Sequence, residues 1–166
     1  MAADFAITGG DELLAQLQDL PAKIERNVMR GALRAGAKMI ADEAKQLCPV
    51  GTDVPKGHVQ GALRDSIRVS VKVSGGLITA SVKAGNAQAF YAHMVEFGTA
   101  RHFIKPKNRK SLFVAGLLRE SVDHPGAKKK PFMRPAADGA ASQAVDAIVQ
   151  YLQNRIPNEL NKVGKS

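Results

Sequence analysis

The 166-residue sequence contains no tryptophan and a single cysteine, and aromatic residues make up only 5% of it. With Cys48 alone, no disulfide can form within the chain. The low aromatic content predicts a core of aliphatic side chains and alanine. Hydrophobic residues still reach 45%, which is typical of a folded chain and excludes global disorder. At this length we expect a single domain, residues 1–166, that buries a core without disulfides.

Long apolar runs are also absent. No segment approaches the roughly 20 apolar residues that a membrane helix needs. Residues 1–10 lack the basic region and the apolar run of a secretory signal. From these absences we expect a soluble protein of a reducing compartment, with no membrane partner.

Enzyme and metal-site motifs are missing as well. The sequence contains no H-E-x-x-H, C-x-x-C or G-x-S-x-G motif and no phosphate-binding glycine loop. His93 and Glu96 have a helical ligand spacing, but two ligands do not make a metal site, and a histidine beside a structural glutamate is favoured. A nucleophile made of Cys48 and a histidine has no supporting pattern. We therefore expect no enzyme, no metal and no cofactor.

Negative charge is scarce. Lys and Arg number 24 against 15 Asp and Glu, which gives a net charge of +9. The excess is concentrated between Arg101 and Arg134, where ten basic residues accompany only Glu120 and Asp123. Such a balance favours an anionic partner, which can be nucleic acid, an acidic protein surface or anionic lipid.

A long amphipathic helix is predicted at the start of the chain. From residue 11 to residue 47, apolar residues recur at steps of three and four. Pro21 interrupts this pattern, which predicts a short helix, a kink and a long helix from about Ala22 to Leu47. Glycine and alanine residues between Gly31 and Ala37 make the middle of this long helix narrow. We expect this face to pack on the sheet of the same protomer, and a neighbouring subunit is the alternative.

The last helix is predicted from about residue 135 to residue 156. Alanines and larger apolar residues form its stripe, and Pro157 is expected to end it. The polar tail that follows, residues 158–166, is expected to fray.

Between these helices the sequence has strand patterns. Residues 67–73 and 78–84 alternate between apolar and polar around Gly75-Gly76, which predicts a hairpin. Residues 90–97 fit a strand or a helical turn, and apolar runs around Gly116 suggest a second hairpin. The predicted fold is α+β, with a small antiparallel sheet of about 3–5 strands and long basic loops within residues 62–131.

The basic loops, residues 101–110 and 123–130, carry most of the candidate functional residues. They are too polar to fold alone, and either a solvated face or electrostatic docking onto an acidic partner or near packaged DNA is favoured. Direct nucleic-acid binding through these loops is the alternative, although the sequence lacks a recognition helix, a zinc knuckle and an aromatic platform. Phe132 is a core plug or a partner anchor, and the plug is favoured. The candidate interface comprises Arg101, His102, Lys105, Lys107, Arg109, Lys110, Lys128, Lys129, Lys130, Phe132 and Arg134.

Four short motifs follow one another along the chain. They are Gly-x-Leu-x-x-Ser at 61–66, Val-Glu-Phe-Gly-Thr at 95–99, His-Pro-Gly at 124–126 and Pro-Phe-Met-Arg-Pro-Ala at 131–136. In this order and spacing they resemble the neck proteins of tailed phages, which are the head–tail joining or tail-completion proteins of siphophages and their prophage relatives. The resemblance covers nearly the whole chain. One departure is the segment between Pro49 and Gly61, which is longer than is usual in that family.

The resemblance implies a structural virion protein. Neck proteins of this kind form a homo-oligomeric ring, commonly sixfold, at the top of the tail, and DNA passes through its lumen. The implied partners are head connector or adaptor proteins and the tail tube or tail terminator. The implied location is the virion neck, with assembly in the host cytoplasm. The motif residues to which we assign a structural role are Glu96, Phe97, Gly98, Thr99, His124, Pro125 and Gly126.

Overall fold

The computed structural model describes residues 10–18, 20–51, 59–107, 110–114 and 116–163. Most of the predicted loop between Pro49 and Gly61 therefore lies outside the described residues, as do residues 164–166. Helices and small antiparallel ladders make up the chain, which confirms the α+β class. The elements are α1 (Gly10–Gln18), α2 (Ala22–Leu47), α3 (Ala62–Asp65), β1 (Arg68–Ser74), β2 (Leu77–Lys83), α4 (Ala92–Phe97), β3 (His102–Ile104), β4 (Leu112–Val114), β5 (Leu117–Arg119), β6 (Val122–His124), α5 (Met133–Gly139) and α6 (Ala141–Val163).

Helix α2 is the element around which the body packs. It contacts α5, α6 and both strands of the first hairpin. The predicted sequence of a short helix, a break at Pro21 and a long helix is confirmed. Helix α2 ends at Cys48, which is extended with φ −66° and ψ 124°, because a residue before proline is disfavoured in the helical region.

The small residues of α2 allow α6 to approach closely. A Cβ atom added at Gly36 would lie 2.7 Å from the Ile148 side chain and 2.8 Å from the carbonyl oxygen of Ala144. A Cβ atom at Gly31 would collide with the ring of Tyr151. The thin face therefore packs on the C-terminal helix of the same chain, and the expectation that it packs on the sheet is wrong.

The described strands form three separate two-stranded ladders and not one sheet of three to five strands. The predicted first hairpin is confirmed, with β1 and β2 in register from Arg68–Lys83 to Ser74–Leu77. Gly75 and Gly76 have φ of 56° and 81°, which suits a two-residue hairpin turn. The ambiguous stretch 90–97 forms α4. Strands β3 to β6 are only three residues long and largely exposed. They pair as β3 with β6 and β4 with β5, so they do not extend the first hairpin into a larger sheet.

Two apolar clusters stabilise the body. The larger one lies between α2, the first hairpin, α4 and the start of α5, with Phe132 fully buried in it. The smaller one joins α1, the first half of α2 and the end of α6 through Leu17, Leu20, Val28 and Ile156. The larger cluster is rich in alanine and the smaller one is aliphatic, as the composition predicts.

The prediction that Pro157 ends the last helix is wrong, because α6 continues to Val163. Proline in a helix interior costs about 3 kcal/mol. Burial of Ile156 on one side of it and of Leu160 on the other offsets this cost, since both pack in the smaller cluster. The Asn158 side-chain amide also donates to the Asn154 carbonyl at 2.7 Å. The helical segment starts at Met133, with a break at Ala140 between α5 and α6.

Candidate assembly interface

The described residues between 99 and 127 pair in two short antiparallel ladders and one isolated bridge, and we call them the arm. At its base, Thr99 and Ala127 exchange backbone hydrogen bonds of 3.0 and 3.2 Å. Farther out, β3 pairs with β6, and β4 pairs with β5. These strands contact chiefly one another, and none of the described arm residues belongs to either apolar cluster. The arm is therefore an appendage of the body and adds little to its core.

Two glycines allow the strands of the arm to leave the body side by side. Gly98 has φ 74°, and a Cβ atom there would lie 2.7 Å from the carbonyl oxygen of Ala127 and 2.9 Å from the nitrogen of Lys129. Gly126 has φ 88°, and a Cβ atom there would collide with the backbone of Thr99. Positive φ and close backbone approach are both conditions that glycine meets without strain. The base of the arm thus requires the glycines of the Phe-Gly-Thr and His-Pro-Gly motifs.

Side chains also join the two strands of the arm. The guanidinium of Arg101 pairs with Asp123, and its Nε donates to Oδ1 at 2.9 Å. This hydrogen bond raises the pKa of Arg101 and lowers the pKa of Asp123. The rings of His102 and His124 lie 5.1 Å apart. Nδ1 of His124 accepts the N–H of Gly126 at 3.1 Å, so the His-Pro-Gly turn is closed by its own histidine.

Glu96 connects the arm to the start of helix α5. Its carboxylate accepts the backbone N–H groups of Phe132 and Met133 at 2.8 and 3.0 Å on Oε2, and of Arg134 at 3.2 Å on Oε1. The first N–H groups of a helix have no partner within the helix, and Phe132, the residue before α5, makes no side-chain cap. Glu96 therefore acts as the N-terminal cap of α5 from a distant part of the chain.

The pKa of Glu96 reflects this arrangement. Burial by itself raises the pKa of the carboxyl group, because the charged form loses water. The three N–H donors and the charge of Arg134 lower it, and together they outweigh burial, so the pKa of Glu96 lies below the ordinary value for glutamate. The carboxylate is thus held ionised at the helix N-terminus.

Three of the four motifs meet at the base of the arm. Val-Glu-Phe-Gly-Thr supplies the cap and one strand, His-Pro-Gly supplies the returning strand, and Pro-Phe-Met-Arg-Pro-Ala supplies the capped helix. The backbone N–H of Lys130 donates to the carbonyl of Val95 at 2.8 Å, which closes the gap between the second strand and α4. The fourth motif lies elsewhere in the body: Oγ of Ser66 accepts the N–H of Gly85 at 2.8 Å and joins α3 to the end of β2.

The basic residues of the predicted interface lie on the arm or just beyond it. Arg109 is outside the described residues, and the others are exposed. The six described lysines of this set form no ion pair with any described residue, whereas Arg101 is paired with Asp123. The exposed members are Arg101, His102, Lys105, Lys107, Lys110, Lys128, Lys129, Lys130 and Arg134, and of the motif residues Phe97 and Pro125 are exposed too.

Phe132 does not belong to this surface. Its side chain is completely buried in the larger cluster, so its assignment to the interface is wrong and the core-plug interpretation is the correct one. The physical reason is its position between the capped first turn of α5 and the hairpin, where an aromatic ring fills the space that small residues of α2 leave open.

The apolar side chains of the arm are a feature that the sequence interpretation missed. Phe113 and Leu118 are each 73% exposed, and Phe103 and Leu117 are exposed as well. The pattern around Gly116 indicated a hairpin, and apolar residues in a hairpin ordinarily suggest burial. The apolar run, residues 111–118, lies between Lys110 and Arg119. These flanking charges are the feature of the sequence that indicates an exposed hairpin.

Phe97 stands between two adjoining cavities, which together we call the Phe97 groove. One cavity of about 520 Å³ is lined mainly by apolar groups of β2's end, α4 and α5. The other, of about 480 Å³, lies beside Pro131, Pro135 and Asp138. Glu96, Phe97 and Arg134 line both. Phe97 itself is 74% exposed, so the groove presents a large uncovered aromatic ring.

The part of the chain that the structure describes contains neither a metal site nor a membrane-spanning helix. No three His, Cys, Asp or Glu side chains lie close enough together there to hold a metal ion. Among the helices described, none has the length and apolar character needed to cross a membrane.

Residues 11–98 match a family model described as "Bacteriophage HK97-gp10, putative tail-component". The chain belongs to this HK97-gp10-like family. The match covers more than half of the 166 residues and ends at Gly98, where the arm begins. No curated protein and no solved structure matches the chain. Membership of the family makes the protein a tail-associated structural component of a phage virion.

Proposed function

We propose that this HK97-gp10-like protein is a component of the head–tail neck, a tail-completion or head–tail joining protein that assembles as a ring at the top of the tail. The observation that carries the proposal is the arm. It is fixed to the body by Glu96, Gly98 and Gly126, while its own apolar side chains stay uncovered. A fixed base with an uncovered end suits an element that acts between subunits.

Energetics support an assembly role for the arm. Each Å² of apolar surface removed from water contributes roughly 25 cal/mol, and an uncovered phenylalanine or leucine forgoes that contribution. The described arm carries four such side chains, with Phe103 near its base and Phe113, Leu117 and Leu118 at its end. Exposed apolar patches are typical of protein–protein contacts. When one surface of a chain fits a different surface of the next copy, a ring results if the rotation between copies closes.

The unpaired lysines favour a contact between the ring and DNA. Lys128, Lys129 and Lys130 are exposed where the arm returns to the body, and none forms an ion pair with a described residue. In the proposed ring, these lysines line or border the lumen. They contact the phosphate backbone of the passing DNA and do not contact its bases. Sequence-independent binding with a steep dependence on salt is the expected result.

The DNA contact is tested by mobility shift with duplex DNA at increasing salt. For the wild type, the logarithm of the binding constant is expected to fall linearly with the logarithm of the salt concentration. A variant with Lys128, Lys129 and Lys130 replaced by Ser is expected to have a slope shallower by about 3 units. No binding by the wild type at low salt would remove DNA from the proposal and leave the protein contacts in place.

The neck role itself is tested by head–tail joining in extracts. Heads and tails are prepared from a lysate that lacks this protein, and purified wild-type protein is added. The matched variant, which we call the short-arm variant, has residues 105–121 replaced by Asn-Gly, so that Ile104 joins Val122, its partner in the ladder. Electron microscopy is expected to show joined particles with the wild type only. Joined particles without any added protein would contradict the neck role.

A further inference from the structure

We propose that the tip of the arm of one copy docks into the Phe97 groove of the next copy of this chain. This inference rests on the proposed ring and adds the contact that would close it. The tip is defined by Phe113, Leu117 and Leu118, and the groove by the two cavities on either side of Phe97.

The tip has the chemistry of an apolar plug. Residues 111–118 carry no charge, and the run lies between Lys110 and Arg119. Phe113 and Leu118 are each 73% exposed and Leu117 is 57% exposed. Strands β4 and β5 pair with each other, so the backbone groups of these strands that face the partner strand are paired, while the apolar side chains stay exposed. A two-stranded ribbon of this kind gains stability when an apolar face is covered.

The groove has the chemistry that such a plug needs. Ala84, Ala92 and Met133 contribute apolar side chains to the lining of its larger cavity, which has a volume of about 520 Å³. Apolar cavities of this size with a few polar groups at the rim are typical binding sites. Phe97 adds an exposed ring, and aromatic residues are enriched at the centres of protein interfaces.

Charge complementarity favours a second copy as the occupant. Asp138 lines the smaller cavity of the groove and forms no ion pair with a described residue. Lys110 and Arg119, which flank the apolar tip, are likewise without an ion-pair partner in the described chain. Docking would place Lys110 and Arg119 of one copy beside the carboxylate of Asp138 in the next copy. Such charge pairs determine the register of a contact more than they increase its affinity.

In the described part of one copy, the tip does not contact the groove of the same chain. The tip side chains remain exposed while the groove of the same chain remains open. Tip and groove are different surfaces, so the contact between copies is heterologous. A heterologous contact gives a ring when the rotation between copies closes and an open filament when it does not, whereas a tip-to-tip contact would yield only a dimer. The proposed ring is the closed case.

Disulfide trapping between two variants tests the contact. Leu117→Cys places a thiol at the tip and leaves Phe113 and Leu118 there, and His93→Cys places one in the lining of the groove and leaves Phe97 in place. Both positions are exposed, so neither change should disturb the fold. The native Cys48 stays in place, since it is buried and burial raises the pKa of its thiol. The two full-length variants are mixed and oxidised, and the linked heterodimer is quantified on a non-reducing gel.

The matched control pairs Leu117→Cys with Leu77→Cys, another exposed leucine, which lies at the β2 end of the first hairpin turn. Docking brings the thiols to millimolar effective concentration, so the tip–groove pair should give on the order of a hundredfold more linked product than the control pair at micromolar protein. Equal yields from the two pairs would overturn the inference.

Light scattering of the same samples separates this inference from the proposed ring. Rings without the tip–groove link would overturn the contact and leave the ring standing. A monomer without the link would count against both.

A second measurement exchanges the charges of the two surfaces. Asp138→Lys is expected to weaken assembly, and adding Arg119→Glu is expected to restore it. Restoration by Arg119→Glu is an effect that a merely damaged fold would not show.

Discussion

The carboxylate of Glu96 accepts the backbone N–H of Phe132 at 2.8 Å, across 36 residues of sequence. This hydrogen bond links the position of Glu96 in α4 to the position of Phe132 at the start of α5. Phe132 lies in the larger cluster, and Glu96 lies in the last turn of α4, shortly before the arm. Through this bond, the position of the arm depends on the same group that starts α5.

Replacing Glu96 tests this dependence. Glu96→Ala leaves three N–H groups at the start of α5 without their acceptor, and at least one of them is buried. An unsatisfied buried donor costs about 1–3 kcal/mol, and bonds to charged groups are stronger than neutral ones, so we expect a loss of about 2–4 kcal/mol in the free energy of unfolding. Urea denaturation followed by circular dichroism measures it.

The control for this change is Glu120→Ala, which removes an exposed glutamate of the arm. Exposed substitutions of this kind are usually worth less than about 0.5 kcal/mol. If both variants unfolded at the same urea concentration, Glu96 would not have the capping role described.

The stability of the protein should depend on pH through Glu96. Its pKa is lower in the folded state than in the unfolded chain, where it is about 4.3. The stabilisation is therefore complete above about pH 4.3 and is lost as the pH falls through the folded-state pKa. Glu96→Gln lacks the ionised form, so the gap in unfolding free energy between it and the wild type should narrow from pH 7 to about pH 3. A gap that stays constant over this range would show that ionisation of Glu96 contributes nothing.

Close packing of α2 on α6 gives a third prediction. Gly36→Ala puts a methyl group against the Ala144 carbonyl and the Ile148 side chain, and overpacking costs about 1–3 kcal/mol. Gly139→Ala is the matched control, because a Cβ atom there meets nothing within 4 Å and alanine favours a helix. Thermal unfolding should show a lower midpoint for the first variant and an equal or higher one for the second.

The base of the arm gives a fourth prediction. Gly98→Ala combines a positive φ with a clash against Ala127 and Lys129, whereas Gly116→Ala has a similar φ but no neighbour within 4 Å. Both should lose about 1–2 kcal/mol for the backbone conformation, and only Gly98→Ala should also speed hydrogen exchange at the amides of Thr99 and Ala127. Equal exchange in the two variants would mean that the glycine is not needed for close approach.

The sequence predicted the elements whose causes are local. Helix α2 has an apolar stripe that repeats every three to four residues and a proline on each side, and the first hairpin has alternation around Gly75-Gly76. In each case the structure is determined by the residues of the element itself and not by distant residues. The order of the motifs likewise indicated the phage neck family, and the HK97-gp10-like match over residues 11–98 confirms a tail-associated family.

The features that the sequence did not predict depend on distant residues. The cap of α5 comes from Glu96, and the only local sign was a helix that begins after Pro131 and Phe132 without a capping side chain. Helix α6 continues past Pro157 because Ile156 packs against α1 and α2. The small face of α2 could not be assigned to a partner from its own residues, since thin faces accept a helix, a sheet or a subunit equally.

The central claim is that the arm acts between subunits, and the mass of the purified protein tests it most directly. Multi-angle light scattering of the wild type is expected to give a mass several times the 17.7 kDa of one chain, with rings in negative-stain images of the same fraction. The short-arm variant should fold, with a similar unfolding midpoint, and give the mass of a single chain. Rings formed equally well by the short-arm variant would contradict the claim.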